Sequence, residues 1–275
     1  MKSRNSGFTL AELLVSIVIG AISIAAAFAS YNYFNKSYKS VSQKASINSA
    51  ARDALTVIAR DLRNAGYYID INFTRVSRPE IKLINLRQKY LDNLDSLAVW
   101  YTTAPNDRMR VYYRPMKYQN SNKMYLAREV VMNPETVGTV VYKNIEFVPN
   151  IVDFQVVFKD KEGNELFPVC FYCGPIENSQ GSGTMVGSYN LGQANMKKVH
   201  KAEIYLTIES AKEVFNTNQE TRIRNHEGAY GNDLTFNDKY YRETFFVSVH
   251  TRNLAKHIAI SEQTGTSIGV SSTYN

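Results

Sequence analysis

Cysteine is almost absent. Cys170 and Cys173 are the two in 275 residues, which excludes a small scaffold held together by disulfides. Histidine is sparse too: His200, His226, His250 and His257 show no spacing that would complete a zinc site. There is no glycine-rich phosphate loop and no nucleophile–base signature. The sequence therefore offers no catalytic residues, no metal site and no cofactor. Two further absences are local. From Leu13 to Asn35 no residue is charged, and between Ala21 and Ala65 there is neither proline nor glycine. The first excludes an ordinary soluble surface there, and the second removes the usual helix breakers.

What is present is unevenly spread. One dense apolar run lies near the N-terminus of a chain whose mean hydropathy is negative, at −0.31. Residues 1–7 are short, polar and basic, Met-Lys-Ser-Arg-Asn-Ser-Gly, and the apolar run follows them. About 20 apolar residues in a helix cross a bilayer. Lys2 and Arg4 ahead of the run favour a cytoplasmic N-terminus, with everything after Lys36 on the other side. An ordinary secretory signal peptide would share the basic start and offers Ala27-Phe28-Ala29 as a cleavage-like triplet. Two features oppose it. Glu12 is an acid inside the apolar segment, where a charge at a helix centre costs roughly 2.5–3.5 kcal/mol and less nearer the end, where Glu12 falls. A disposable signal has no reason to carry it. The helical pattern also continues past Ala29.

Gly7-Phe8-Thr9-Leu10-Ala11-Glu12, after a short basic leader and before an apolar helix, resembles the type III signal of type IV prepilins and pseudopilins. The resemblance implies cleavage after Gly7 by a prepilin peptidase, with N-methylation of the new terminal Phe8. It also implies a place for Glu12 in filament assembly. The Phe8 amine of one subunit would approach the Glu12 carboxylate of its neighbour in a dry core, where opposite charges attract strongly and an unpaired acid is costly.

The second half of the glycine- and proline-free stretch is amphipathic. Leu55, Ile58, Ala59 and Leu62 recur at i, i+3, i+4, i+7, and Val41, Ala45 and Asn48 extend the stripe. Arg52, Asp53, Arg60, Asp61 and Arg63 fall elsewhere around the helix, and Gly66 supplies a stop. A helix from Phe8 to Ala65 would be on the order of 85 Å long. Strand patterns follow at Asp95–Thr102, Arg110–Arg114, Lys123–Arg128, Ile151–Lys159, Ala202–Ser210 and Thr244–Arg252. A turn is expected around Pro105-Asn106-Asp107, a hairpin connection through 118–122, and a polar turn at 160–164. These predict an α+β fold, a long N-terminal helix packed on an antiparallel sheet.

The stretch from Ala51 to Tyr67, with Asp95-Ser96-Leu97, Asn150–Val156 and Tyr241–Asn253, is similar to the PilW type of minor pilin. That resemblance implies a role in initiating or capping a type IV pilus. The expected partners are the prepilin peptidase, other major and minor pilins, and an inner-membrane assembly platform. The expected divisions are 1–7 leader, 8–35 transmembrane and filament-core helix, 36–66 amphipathic half, 67–260 β-rich head and 261–275 mobile tail. Residues 174–199 and 216–239 read as long irregular insertions. The expected course is inner membrane first, head in the periplasm, then the cell surface.

Cys170-x-x-Cys173 lacks the βαβ context of a redox motif, and in an oxidising periplasm it reads as a short-loop disulfide. Net charge is +7, and loss of Lys2 and Arg4 with the leader leaves about +5, thinly spread. The densest basic stretch, Arg75, Arg78, Lys82, Arg87 and Lys89, has Glu80 as its one acid. It carries no nucleic-acid fold signature, so contact with DNA is possible but unsupported, and a solvated surface is expected. Two other readings remain. A pseudopilin of a type II secretion system shares the N-terminal motif, and a secreted binding or adhesive β domain would begin near Ser30.

Overall fold

The computed structural model describes residues 9–67, 81–86, 94–104, 107–132, 139–166, 169–170, 174–175, 185–186, 188–190, 198–226 and 233–252. One unbroken helix, α1 (Leu10–Asn64), opens the chain, as the lack of breakers predicts. It ends at Gly66, whose φ of 74° is the left-handed conformation that glycine adopts without steric cost. Contacts divide the chain into two units, Met1–Ser46 and Ile47–Asn275.

Within the second unit the strands follow in the order β1 (Ile81–Leu86), β2 (Asp95–Ala104), β3 (Asp107–Lys117), β4 (Met124–Met132) and β5 (Thr139–Lys159). Next come β6 (Glu165–Leu166), β7 (Val169–Cys170), β8 (Gly174–Pro175), β9 (Met185–Val186) and β10 (Ser188–Asn190). Last are β11 (Lys201–Glu209), β12 (Gln219–Ile223), β13 (Leu234–Asp238) and β14 (Arg242–His250). One sheet runs β14-β11-β5-β4-β3-β2-β1-β10-β7, with β6 also paired to β5. The ladders joining these strands are antiparallel. The expected α+β arrangement of a long helix packed on an antiparallel sheet is therefore present.

Alternation places Leu97, Val99 and Tyr101 of β2 on the same face as their cross-strand partners Tyr113, Val111 and Met109 of β3. That face buries the helix residues Ile47, Ala51, Ala54, Leu55, Ile58, Ala59 and Leu62. Fully burying a side chain such as Ile58 or Leu62 stabilises by about 1.5–3 kcal/mol. The predicted stripe holds at Leu55, Ile58, Ala59 and Leu62, with Asn48 half-buried. It does not reach back to Val41 and Ala45, which are exposed, and Ile47, which it did not include, is buried.

β5 is the longest strand and changes partners along its length. Its first half pairs with β4 and its second half, from Ile151, with β11. The change needs irregular backbone: the β4–β5 register shifts repeatedly, and Asn144 and Asn150 have positive φ. Asparagine tolerates that region better than most residues. The second half of β5 also touches the start of β2 through a parallel bridge between Leu94 and Phe154. The Asp95 carboxylate there accepts the backbone N–H of Val156 at 2.7 Å.

Several sequence expectations need correction. Strand β5 begins at Thr139, twelve residues before the predicted Ile151, with bulges absorbing Asn144, Pro149 and Asn150. Asp107, expected in a turn, opens β3. The segment 216–239 is not wholly irregular, since β12 and β13 pair as an antiparallel hairpin from Gln219↔Asp238 to Ile223↔Leu234. Its flank covers β5: the His226 N–H donates to Gln155 Oε1 at 2.7 Å. This is why Asp153 and Gln155 are buried on the face opposite Phe154 and Phe158. The turn 160–164 is as expected, with Asp160 accepting the Asn164 N–H at 2.7 Å and Gly163 at φ 89°.

Candidate assembly site

The N-terminal end of α1 is built by a capping box. The Thr9 backbone N–H donates to Glu12 Oε2 at 2.9 Å and the Thr9 hydroxyl donates to the same oxygen at 3.0 Å. In return the Glu12 N–H donates to Thr9 Oγ1 at 3.3 Å. Such reciprocal bonds satisfy donors that a helix start leaves unpaired. Thr9 and Glu12 of the predicted motif are thus brought together, and Glu12 is held back toward the helix start rather than pointing along the shaft. Gly7 and Phe8 lie outside the described residues.

Beyond Glu12 the helix surface is apolar and open. Leu13, Leu14, Val15, Ile17, Val18, Ile19, Ile22, Ile24 and Phe28 are exposed. Ser16 and Ser23 turn their hydroxyls inward and donate to the carbonyls of Glu12 and Ile19, each at 2.8 Å, which removes polar groups from an apolar surface. A Cβ on Gly20 would meet nothing within 4 Å, so this glycine answers no close approach inside the chain. The helix is long and apolar enough to cross a membrane.

At its other end α1 carries a polar site absent from the sequence expectations. Asp61 is fully buried, although it was expected away from the core stripe. Its carboxylate accepts from the Tyr113 hydroxyl at 2.5 Å, from Arg128 Nη2 at 2.9 Å and from the Tyr101 hydroxyl at 3.4 Å. Tyr113 and Arg128 are cross-strand partners on β3 and β4, so the register itself delivers both donors to one point. Burial, and then the negative charge of Asp61, push the Tyr101 hydroxyl up to about 12 and the Tyr113 hydroxyl well above the usual tyrosine range. Both phenols stay protonated and act as donors. The cluster is a structural clamp between helix and sheet, and the exposed Arg60 reaches its edge 3.5 Å from Asp61.

Other predicted sites stand apart from these. Cys170 falls on β7, where its backbone pairs with Tyr189, and Cys173 is outside the described residues. Of the basic stretch, Lys82 lies on β1, while Arg75, Arg78, Glu80, Arg87 and Lys89 lie outside them. The tail 261–275 and most of 174–199 are outside them also. Among the described residues no group of three or more His, Cys, Asp or Glu side chains is placed to hold a metal ion.

A family model described as the prokaryotic N-terminal methylation motif matches residues 2–28. No curated protein and no solved structure matches the chain. The matched segment contains Gly7, Phe8, the Thr9–Glu12 box and the first turns of the apolar helix. Motif and helix together support a type IV pilin-like protein, a class that takes in pilins and pseudopilins. Members of that class are structural subunits rather than enzymes. The motif implies cleavage by a prepilin peptidase and assembly with other pilins, and the apolar helix fits membrane anchoring before assembly.

Proposed function

We propose that this chain is a minor pilin of the PilW type, a subunit that helps to initiate or cap a type IV pilus. In this reading the peptidase cuts between Gly7 and Phe8, Phe8 is N-methylated, and the helix leaves the membrane for the filament core. There the Glu12 carboxylate receives the Phe8 amine of an adjacent subunit, and the β-rich head, on the outer side of the membrane, meets sister pilins.

The observation that carries the reading is a complete methylation motif that runs directly into a capped, exposed apolar helix. In low dielectric the amine–carboxylate attraction is large and an unpaired carboxylate is costly, so pairing supplies both energy and register. Within the head, Asp61 fixes the C-terminal half of α1 to the sheet.

Deleting the gene tests the assignment to a pilus. The expected result is loss or shortening of surface pili with export of other proteins unchanged. Intact pili with failed secretion of exported proteins would transfer the chain to the pseudopilins of a type II secretion system.

A further inference from the structure

Where α1 leaves its uncharged run, its chemistry changes within three turns. Leu13 to Asn35 is 23 residues without a charge, about 35 Å of helix against about 30 Å of hydrocarbon. Tyr31, Tyr33 and Phe34 fall in the last turn of that run, and Lys36, Tyr38 and Lys39 follow at once. The four aromatic side chains are 64–73% exposed. Lys36 and Lys39 are exposed as well, and neither forms an ion pair among the described residues. Between Glu12 and Asp53 there is no acidic residue at all. Among the described residues of the unit Met1–Ser46, none covers this collar.

We infer that residues 31–39 form a lipid-binding collar that seats in the headgroup layer at the C-terminal end of the span and selects anionic phospholipids. Tyrosine rings have an apolar body and a polar tip, which suits them to the boundary between acyl chains and water. The lysine stems reach along that boundary and place their ammonium groups among the phosphates. The continuity of the collar with the span and its single sign of charge favour a lipid surface over a neighbouring protein helix. This inference rests on the membrane span and is independent of the assignment to a pilus. Its consequence is mechanical: the collar sets the depth of the helix and holds the subunit until the span is withdrawn.

Native mass spectrometry of the full chain released from nanodiscs tests this. The discs contain phosphatidylcholine mixed with phosphatidylglycerol, and the readout is the ratio of the two lipids retained. Wild type is expected to retain phosphatidylglycerol preferentially. The K36Q/K39Q variant is expected to lose roughly five-fold of that preference for each lysine neutralised, less at high salt. K36R/K39R and the distant control K161Q should keep it. A wild type without preference, or a preference that survives K36Q/K39Q, overturns the inference. So does a K36Q/K39Q variant that changes self-association while lipid retention stays the same, since the collar would then face another helix.

Discussion

The carboxylate of Asp61 on the helix accepts from the guanidinium of Arg128 on β4 at 2.9 Å, with the acid fully buried. This pair ties the shaft to the middle of the sheet. A buried ion pair is expensive to desolvate, and breaking it by removing one partner typically costs about 3–5 kcal/mol. Asp61→Asn and Arg128→Met are each expected to destabilise the protein by that order. Replacing both, as Asp61→Leu with Arg128→Met, is expected to recover much of the loss. Denaturant unfolding of the full chain in detergent measures all three; equal losses in singles and double would argue against coupling.

Tyr113 offers a milder probe of the same clamp. Its hydroxyl is 2.5 Å from Asp61 and accepts from Arg128 Nε at 3.1 Å. Tyr113→Phe keeps the ring in the core but leaves part of the Asp61 and Arg128 capacity unmet. The expected cost is about 1–3 kcal/mol, read in the same unfolding experiment.

The fold was legible in the sequence where a pattern has one period and one cause. The helix followed from its missing breakers, and the second half of β5, β11 and β14 followed from alternation. Asp61 was not legible, because an acid beside a core stripe looks solvated until Arg128 and Tyr113 arrive from strands more than fifty residues away. The first half of β5 was not legible, because its bulges at Asn144 and Asn150 interrupt the regular alternation of a strand. At the N-terminus the motif was legible by its resemblance to prepilin signals, and a family model matches residues 2–28. The partnership of Thr9 with Glu12 adds what the spacing alone did not state, a carboxylate already hydrogen-bonded at the helix start.

Acid is expected to loosen the packing of the β12–β13 flank. His226 stacks flat on Tyr205, with ring centroids 3.7 Å apart. Burial, and then the nearby Arg224 charge, hold its imidazole below the ordinary histidine value of 6.5. The unfolded chain therefore binds the proton first, and stability rises with pH in this range. The contribution of His226 is fully present above pH 6.5 and is lost as pH falls through the lower folded value. A series of unfolding curves across that window should show the decline, and His226→Phe should flatten it.

Two substitutions separate cutting from assembly. Gly7→Leu is expected to leave an uncut precursor in the membrane, detected as a larger band in immunoblots. Glu12→Ala is expected to be cut largely as wild type but to enter filaments poorly. The capping box it loses lies at the exposed start of α1 and contributes nothing to the buried core of the head, so the defect should be confined to incorporation. Sheared pilus fractions probed for the subunit give the readout. Normal incorporation of the alanine variant would remove Glu12 from the assembly account.

The identity of the mature N-terminal residue is the most direct test, obtained by mass spectrometry of the protein in membrane fractions. A chain that begins at N-methylated Phe8, with the whole of α1 retained, is the predicted result. A chain that begins near Ser30 would contradict it, since the apolar helix would then be a discarded signal and the head a freely exported domain.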